Sequence, residues 1–351
     1  MTPKPIIFDG HNDLLTRLWL SQTDDAVDRF IHAELAGHLD LKRCKKAAWM
    51  GGLFSIFLPP YSYLQKFHPE KILDSSRSDF TAQHIIDICC AQLELAHQLQ
   101  AQSSGQIQIC TTFSEIQACK KNQQLAIVLH LEGAEVLECK PELLHVFYDA
   151  GLRSIGPLWN RKSAFGDGLN ASFPHSPDTG SGLTDRGKAL ILECASKNML
   201  IDVSHMNERA FWDTVDLIDQ PIIATHSNVH HLCPQARNLT DHQLDAIKQS
   251  DGMVGVNFDV AFLRPDGQRN IHTDLNVIID HIEYLIDRLG EDHVGFGSDF
   301  DGCLLPDQLP DVTGISSLIQ CMKQRHFSDE LIQKISSENW FNTIKKINLT
   351  N

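Results

Sequence analysis

Short apolar runs alternate along the chain with longer segments in which the hydrophobic residues recur with a helical period. Eight of these runs are four to seven residues long, the length of a buried strand. They cover residues 6–9, 52–58, 125–131, 152–157, 199–203, 222–225, 253–257 and 294–297. The pattern therefore predicts eight strands separated by helices.

The helical segments are identified by the spacing of their apolar residues and by the residues at their ends. The clearest covers residues 274–289, whose apolar side chains form one stripe and which Gly290 follows as a stop signal. Residues 80–100 and 184–197 have the same period. A capping box that begins at Thr240 predicts the start of a further helix.

Eight strands that alternate with helices predict an α/β fold, and within that class a parallel (β/α)8 TIM barrel. The competing interpretation is a doubly wound sheet, but no glycine-rich dinucleotide loop follows the first strand. We expect one barrel domain over residues 1–351, since no stretch is long enough to be a linker. The stretch 160–182 is rich in Gly, Ser, Pro and Asp and is expected to form a lid over the barrel mouth, with 303–351 as a C-terminal helical extension.

Composition excludes several classes of partner. The net charge is −15 and the chain has no basic cluster, so neither nucleic acid nor an acidic membrane surface is expected to bind. No apolar run reaches the roughly 18 residues that span a bilayer, and the first strand begins too early for a signal peptide, which predicts a cytoplasmic protein. The ten cysteines show no framework spacing and are expected to be free, buried thiols.

The residues that could carry chemistry stand where the predicted strands end. In a parallel barrel these ends meet on one rim, where active sites are built. The candidates, three histidines and three carboxylates at five strand ends, are His11, Asp13, Glu132, His205, His226 and Asp299. One such histidine alone is most often a hydrogen-bonded core residue, but six such residues on one rim indicate a metal site.

Three histidines with one aspartate and one glutamate are too many ligands for a single tetrahedral metal. They suit two divalent metals, such as zinc, that share a bridging carboxylate, although imidazole and carboxylate also suit other divalent metals. Two metals so placed can activate water and polarise a carbonyl group. Asp299 would then be placed to accept the proton of that water and to pass it on.

The same strand ends carry longer motifs: Asp9-Gly10-His11-Asn12-Asp13, Glu132-Gly133, Asp202-Val203-Ser204-His205, Ala224-Thr225-His226-Ser227, Arg237-Asn238 and Gly297-Ser298-Asp299-Phe300-Asp301-Gly302. In this order, and over nearly the whole chain, they resemble the membrane dipeptidase (renal dipeptidase) family, peptidase family M19. The resemblance implies an amidohydrolase-like barrel, two zinc ions per chain, and a soluble bacterial-type member. It also allows a homodimer, since dimers are common in the family.

The resemblance further implies a role for each residue. His11 and Asp13 would hold the first zinc, and Glu132 would bridge. His205 and His226 would hold the second zinc. By the same comparison Asp299 is the catalytic acid and base, and Arg237 binds the terminal carboxylate of the substrate, which a guanidinium fork suits.

One position departs from the family pattern. The family usually has a substrate-contacting histidine after the fourth strand, where this chain has Trp159. An indole donates one hydrogen bond but cannot act as a base. Either Trp159 contacts substrate as a donor in place of the histidine, or Arg161 or another group does so, or the substrate differs. The resemblance implies cleavage of the peptide bond of dipeptides, including those with a C-terminal D-residue. The alternatives are hydrolysis of another small amide, such as an N-acyl amino acid, and a metal-binding protein without catalysis.

Overall fold

The computed structural model describes residues 4–21, 23, 25–32, 36–72 and 77–347. The strands of these residues, in chain order, are β1 (Ile7–Asn12), β2 (Trp49–Phe57), β3 (Ile107–Ile109), β4 (Leu125–Glu132), β5 (Leu152–Gly156), β6 (Lys162–Ser163), β7 (Gly166–Asp167), β8 (Leu200–Ile201), β9 (Ile223–Ala224), β10 (Met253–Val256) and β11 (Val294–Phe296). The helices are α1 (Leu14–Leu20), α2 (Ala26–His32), α3 (Leu41–Ala47), α4 (Tyr61–Phe67), α5 (Ala82–Gln102), α6 (Phe113–Asn122), α7 (Glu135–Cys139), α8 (Leu143–Asp149), α9 (Asp185–Ser196), α10 (Glu208–Leu217), α11 (Asp241–Gln249), α12 (Val260–Leu263), α13 (Asn276–Leu289), α14 (Ile315–Gln324), α15 (Asp329–Gln333) and α16 (Asn339–Ile347).

Eight of the strands form a closed ring of parallel neighbours. One sheet has the order β1-β2-β4-β5-β8 and a second has the order β11-β10-β9. A parallel bridge between Asp202 and Ile223 joins β8 to β9, and another between Asn12 and Phe300 joins β1 to the chain just after β11. These two bridges close the barrel and confirm the predicted TIM-barrel fold.

The predicted strands all belong to the ring, whereas three short strands were not anticipated. β3 pairs with the start of β4, and β6 with β7 forms a small antiparallel hairpin. Helix starts differ from the predictions by one or two residues because polar side chains before them act as caps. Thr184 accepts the N–H of Gly187 at the start of α9, and Asp274 accepts the N–H of Asn276 at the start of α13.

The last helix, α16, closes the base of the barrel. The Trp340 side chain is fully buried, and its indole N–H donates to the carbonyl of Phe296 over 2.9 Å. A Cβ added to Gly10 would lie 2.4 Å from this ring and 2.3 Å from the carbonyl oxygen of Thr225. A side chain at position 10 would therefore collide with Trp340 and with the Thr225 carbonyl, which explains the glycine.

The segment 160–182 contains the β6–β7 hairpin and is tied to the loops that follow β8 and β9. The Leu169 N–H donates to His205 O over 3.1 Å, and the Ala236 N–H donates to Ser172 O over 3.0 Å. These bonds place the segment beside the carboxyl rim. Its action as a lid stays a prediction, as do the single-domain assignment of residues 1–351 and the separate status of 303–351.

Two further expectations concern whole classes of residue. All ten cysteines are free, and six of them are buried. Of the helices in the described ranges, none combines the length and the apolar character needed to cross a bilayer.

Candidate metal centre and its cavity

Six polar side chains converge at the carboxyl ends of the barrel strands. They are the candidates His11, Asp13, Glu132, His205, His226 and Asp299. The first five are buried, and Asp299 is partly open to a cavity. The convergence follows from parallel topology, because every strand ends on the same rim.

Glu132 lies at the centre of this group with one carboxylate oxygen on each side. Its Oε1 is 2.8 Å from Nε2 of His205 and 3.4 Å from Nε2 of His226. Its Oε2 is 3.6 Å from Nε2 of His11, which in turn is 3.6 Å from Oδ2 of Asp13. The carboxylate therefore spans two sets of donors.

Hydrogen bonds from outside the group fix the tautomers of two histidines. Nδ1 of His205 lies 2.8 Å from Oδ1 of Asn160, which can only accept. Nδ1 of His226 lies 2.7 Å from the hydroxyl of Thr225, whose proton is already donated to Asp202 over 2.7 Å. Both Nδ1 atoms must therefore carry the proton, which leaves a lone pair on each Nε2.

The two Nε2 atoms lie only 3.0 Å apart. Two lone pairs at that distance repel each other unless a cation lies between them. A tetrahedral zinc with bonds of about 2.0–2.1 Å has ligand edges of about 3.3 Å, which the Glu132 and histidine spacings resemble. In the part of the chain described, both ring nitrogens of buried His11 also lack a hydrogen-bond partner. The donor set therefore fits metal ions.

The protonation states of the group also favour metal binding. Burial lowers the pKa of both His205 and His226, which keeps them neutral as metal ligands must be. Burial also opposes protonation of His11, but the carboxylates of Glu132 and Asp13 outweigh it and raise the pKa of His11 to about 10. The buried carboxylates thus attract positive charge, which metal ions would supply.

The sequence predicted no individual role for several residues that hold these side chains. Asp202 accepts hydrogen bonds from the hydroxyls of Ser204 and Thr225 at 2.6 and 2.7 Å. Ser55 donates to Oδ1 of Asp13. These partners orient the group as outer-shell hydrogen bonds orient metal ligands. His130, two residues before Glu132 on β4, is not among these partners, and its Nδ1 is instead hydrogen-bonded to the Ser154 hydroxyl over 2.8 Å.

Asp299 stands beside the group in a left-handed backbone conformation, with φ of 60°. Its N–H donates to His11 O over 3.0 Å, and its Oδ2 accepts from Nδ2 of Asn257 over 2.9 Å. One carboxylate oxygen lies within 4.8 Å of ligand atoms of His11 and Asp13. Burial raises the pKa of Asp299 to about 7, a value suited to a group that accepts and returns a proton near neutrality.

Arg237 lines the same cavity, with 2% of its surface exposed. Its guanidinium donates to the carbonyl of Ser204, and to the carbonyl of His226 over 3.2 Å. It also lies 5.5 Å from the centre of the Phe262 ring. The guanidinium is therefore held rigidly beside the two histidines, and its role toward substrate stays a prediction.

Trp159 forms part of an aromatic wall. Its ring lies 4.9 Å from the ring of Phe57 and 6.0 Å from that of His205. The guanidinium of Arg161 lies 5.0 Å from the indole. The side chain is thus placed next to the candidate metal ligands and faces the cavity.

The cavity has a volume of 630 Å³, which suits a small-molecule ligand. Four of the candidate metal ligands line it, namely Asp13, Glu132, His205 and His226, and so do charged residues of other loops. Aromatic and proline side chains also line the cavity, namely Phe57, Pro59, Pro60, Tyr63, Trp159, Phe173 and Phe262. The cavity can therefore contact both charged and apolar parts of a ligand.

The chain is similar in sequence and in fold to several known proteins. Residues 1–351 match the family profile described as membrane dipeptidase (peptidase family M19). The chain is 65% identical over 290 residues to an uncharacterized protein in the PQQ-III 3' region of Acinetobacter calcoaceticus. The aligned residues make up 82% of this chain and 92% of that protein.

Two solved structures are similar over almost their whole length. One is a metallopeptidase from Rhodobacter sphaeroides liganded with a phosphinate mimic of the dipeptide L-Ala-D-Ala, with 38% identity and a TM-score of 0.91 over 98% of this chain and 100% of that one. The other is dipeptidase AC, a family M19 metallopeptidase, with 37% identity and a TM-score of 0.91 over 99% and 100%.

Proposed function

The chain belongs to the membrane dipeptidase family, peptidase family M19, and on this premise we propose that it is a metal-dependent dipeptidase with two zinc ions in the group centred on Glu132. The observation that carries the zinc proposal is the 3.0 Å approach of two unprotonated Nε2 atoms, those of His205 and His226. A site built only of hydrogen bonds would not bring two lone pairs so close.

The ligands divide into two sets that share one residue. His11 and Asp13 would hold one zinc, and His205 and His226 would hold the other. Glu132 would be shared by both, a role that the opposite directions of its two oxygens support. Buried imidazole and carboxylate groups in these numbers suit zinc, as well as other divalent metals.

Zinc at this centre supplies Lewis-acid polarisation of the scissile carbonyl and makes water acidic enough to attack near neutral pH. Asp299 accepts the proton of the attacking water and returns it to the leaving amine. The hydrogen bond from Asn257 to Oδ2 leaves Oδ1 of Asp299 available for this transfer.

Arg237 and Trp159 define where the rest of the substrate lies. The cation of Arg237, held in the cavity wall beside His205, suits the terminal carboxylate of a short substrate. Trp159 provides an apolar surface next to the reacting carbonyl. A dipeptide fits this arrangement because its carboxylate is only one residue away from the scissile bond.

The range of substrates includes dipeptides with a C-terminal D-residue. The similar metallopeptidase from Rhodobacter sphaeroides was liganded with a mimic of L-Ala-D-Ala, and this chain covers the whole of that structure. Hydrolysis of N-acyl amino acids is the second candidate, favoured by Trp159 in the place of the family histidine. Cytoplasmic location and a homodimer also stay predictions.

The test is hydrolysis of L,L-dipeptides, L,D-dipeptides and N-acyl amino acids by purified protein. Zinc-loaded, metal-stripped and Asp299→Asn forms are compared, and the zinc content of each is measured. Cleavage of dipeptides that requires metal and collapses in the Asp299→Asn form, at two zinc ions per chain, would support the proposal. A protein that holds two zinc ions but cleaves only N-acyl amino acids would favour the second candidate, and one inert on all three classes would overturn both.

A further inference from the structure

Asp259 is a charged residue of the cavity wall that the chemistry above does not use. It stands at the N-terminus of α12, where its Oδ1 accepts the N–H of Ala261 over 3.0 Å. Its own N–H donates to Oδ1 of Asn257 over 2.7 Å. These two bonds fix both the backbone and the side chain of Asp259.

The second carboxylate oxygen of Asp259, Oδ2, differs from Oδ1 in its hydrogen bonding. Among the residues that the structure describes, Oδ2 accepts no hydrogen bond and Asp259 forms no ion pair. The residue is 8% exposed, and it lines the cavity. Its free oxygen is therefore available to a ligand in that cavity.

Two arginines influence Asp259 without pairing with it. Burial raises the pKa of Asp259, and Arg269 and Arg237 act in the opposite direction. Arg269 is exposed at the same cavity and, within the described ranges, makes no ion pair. Arg237 lies deeper and is held by backbone carbonyls. The wall thus presents a fixed anion near a fixed cation.

We propose that Asp259 binds a positively charged nitrogen of the substrate, an inference that rests on the proposed dipeptidase function. A carboxylate with one oxygen engaged and one free can accept a charge-assisted hydrogen bond from an alkylammonium group. A dipeptide can supply that group from two sources: the α-ammonium of its first residue, or a lysine-like side chain. In both cases Asp259 complements the cation of Arg237, so that the cavity matches a ligand with both charges.

The experiment compares substrates that differ by one ammonium group. Glycylalanine and N-acetylalanine differ in the α-ammonium, and alanyl-lysine and alanyl-norleucine differ in the side-chain ammonium. The ratio of kcat/KM within each pair is measured for the zinc-loaded wild type and for Asp259→Asn. Asparagine keeps an oxygen that can accept the Ala261 N–H, so the cap of α12 is retained while the charge is removed.

In Asp259→Asn we expect one of the two ratios to fall by about tenfold or more, the usual effect of losing a hydrogen bond to a charged group. A fall in the first ratio identifies the α-ammonium, and a fall in the second identifies the side chain. Arg269→Gln should raise the same ratio, because it removes a competing positive charge. Unchanged ratios in both variants would overturn the proposal.

A binding measurement separates this inference from the proposed function. Phosphinate analogues of the same four compounds are titrated into each protein by calorimetry, which needs no turnover. One outcome is that the wild type cleaves no substrate and yet binds the ammonium-bearing analogue more tightly than its partner, with this preference lost in Asp259→Asn. In that case the dipeptidase proposal fails and the subsite stands. If cleavage is normal and neither the rates nor the affinities discriminate, the subsite fails alone.

Discussion

Asn257 donates a hydrogen bond from Nδ2 to Oδ2 of Asp299 over 2.9 Å. The orientation of this amide is fixed, because its Oδ1 accepts the N–H of Asp259 over 2.7 Å. The backbone of Asn257 is held as well, by Asn228, whose side chain bonds to its N–H and to its carbonyl at 3.1 and 2.9 Å. One oxygen of Asp299 is therefore always engaged and the other is left for substrate.

Replacement of Asn257 by aspartate should lower kcat by about ten- to a hundredfold. The substitution keeps the shape and the acceptor for Asp259, but removes the donor and places a second carboxylate against Asp299. We expect KM for a dipeptide and the zinc content to stay close to those of the wild type. Steady-state kinetics with metal analysis provides the check, and an unaltered kcat would show that the bond does not position Asp299.

Asn160 should control zinc affinity through His205. In Asn160→Ala the acceptor for Nδ1 is lost, so the imidazole is free to change tautomer and to rotate. The affinity for zinc, measured by competition with a chelator, should fall by about ten- to a hundredfold. Asn160→Asp is the matched control, because it preserves an acceptor oxygen. Equal affinities in the alanine variant and the wild type would refute the role given to this bond.

Glu132→Gln should reduce the number of metal ions that the protein retains. An amide has one oxygen and cannot accept a cation on each side, so it cannot bridge. After dialysis we expect at least one zinc fewer per chain by elemental analysis. Glu138→Gln, an exposed change in the adjacent helix α7, should retain the wild-type number. Full retention by the Glu132 variant would contradict a bridging carboxylate.

His281 should make the fold less stable as the pH falls. Its Nδ1 accepts the N–H of Val229 over 3.1 Å, its Nε2 lies 3.0 Å from Leu263 O, and burial lowers its pKa from 6.5 to about 4. The unfolded chain therefore binds a proton below about pH 6.5 that the folded chain refuses until about pH 4. Stability is lost across this window as the pH falls, up to about 1.4 kcal/mol per unit and about 3 kcal/mol in total.

The measurement is urea unfolding of the wild type and of His281→Asn between pH 8 and about pH 4. Asparagine can accept the Val229 N–H but does not titrate. The stability difference between the two proteins should be constant above pH 6.5 and should then shift in favour of the variant. Parallel curves over the whole range would show that His281 does not titrate as expected.

The sequence predicted the barrel well because each of its eight strands is a buried apolar run. It did not predict β3, β6 or β7, because β6 and β7 contain only polar residues and glycine, and β3 has just two apolar residues on either side of Gln108. The contacts of Gly10 could not be predicted either. The pairing of β1 with β2 shifts register twice, so the direction of each residue could not be read from simple alternation.

In the candidate site, too, the sequence identified some of the residues and missed others. His205 and His226 could be identified because they follow apolar runs, and the topology brings all such ends together. Asn160 and Asn257 could not be identified, since a single amide beside a strand looks like any other polar residue. Their roles depend on which atom faces a histidine or a carboxylate, and that is decided by tertiary contacts alone.

Trp340 has a consequence for how the protein is made. A ribosome delivers the chain from its N-terminus, so all eight barrel strands leave the exit tunnel before helix α16 does. Until that helix arrives, the lower end of the ring is an open apolar hole, lined by residues such as Phe8 and Met253 that belong with Trp340 in one cluster. The nascent protein therefore cannot complete the core at this end of the ring until helix α16 has left the tunnel and packed Trp340 against it.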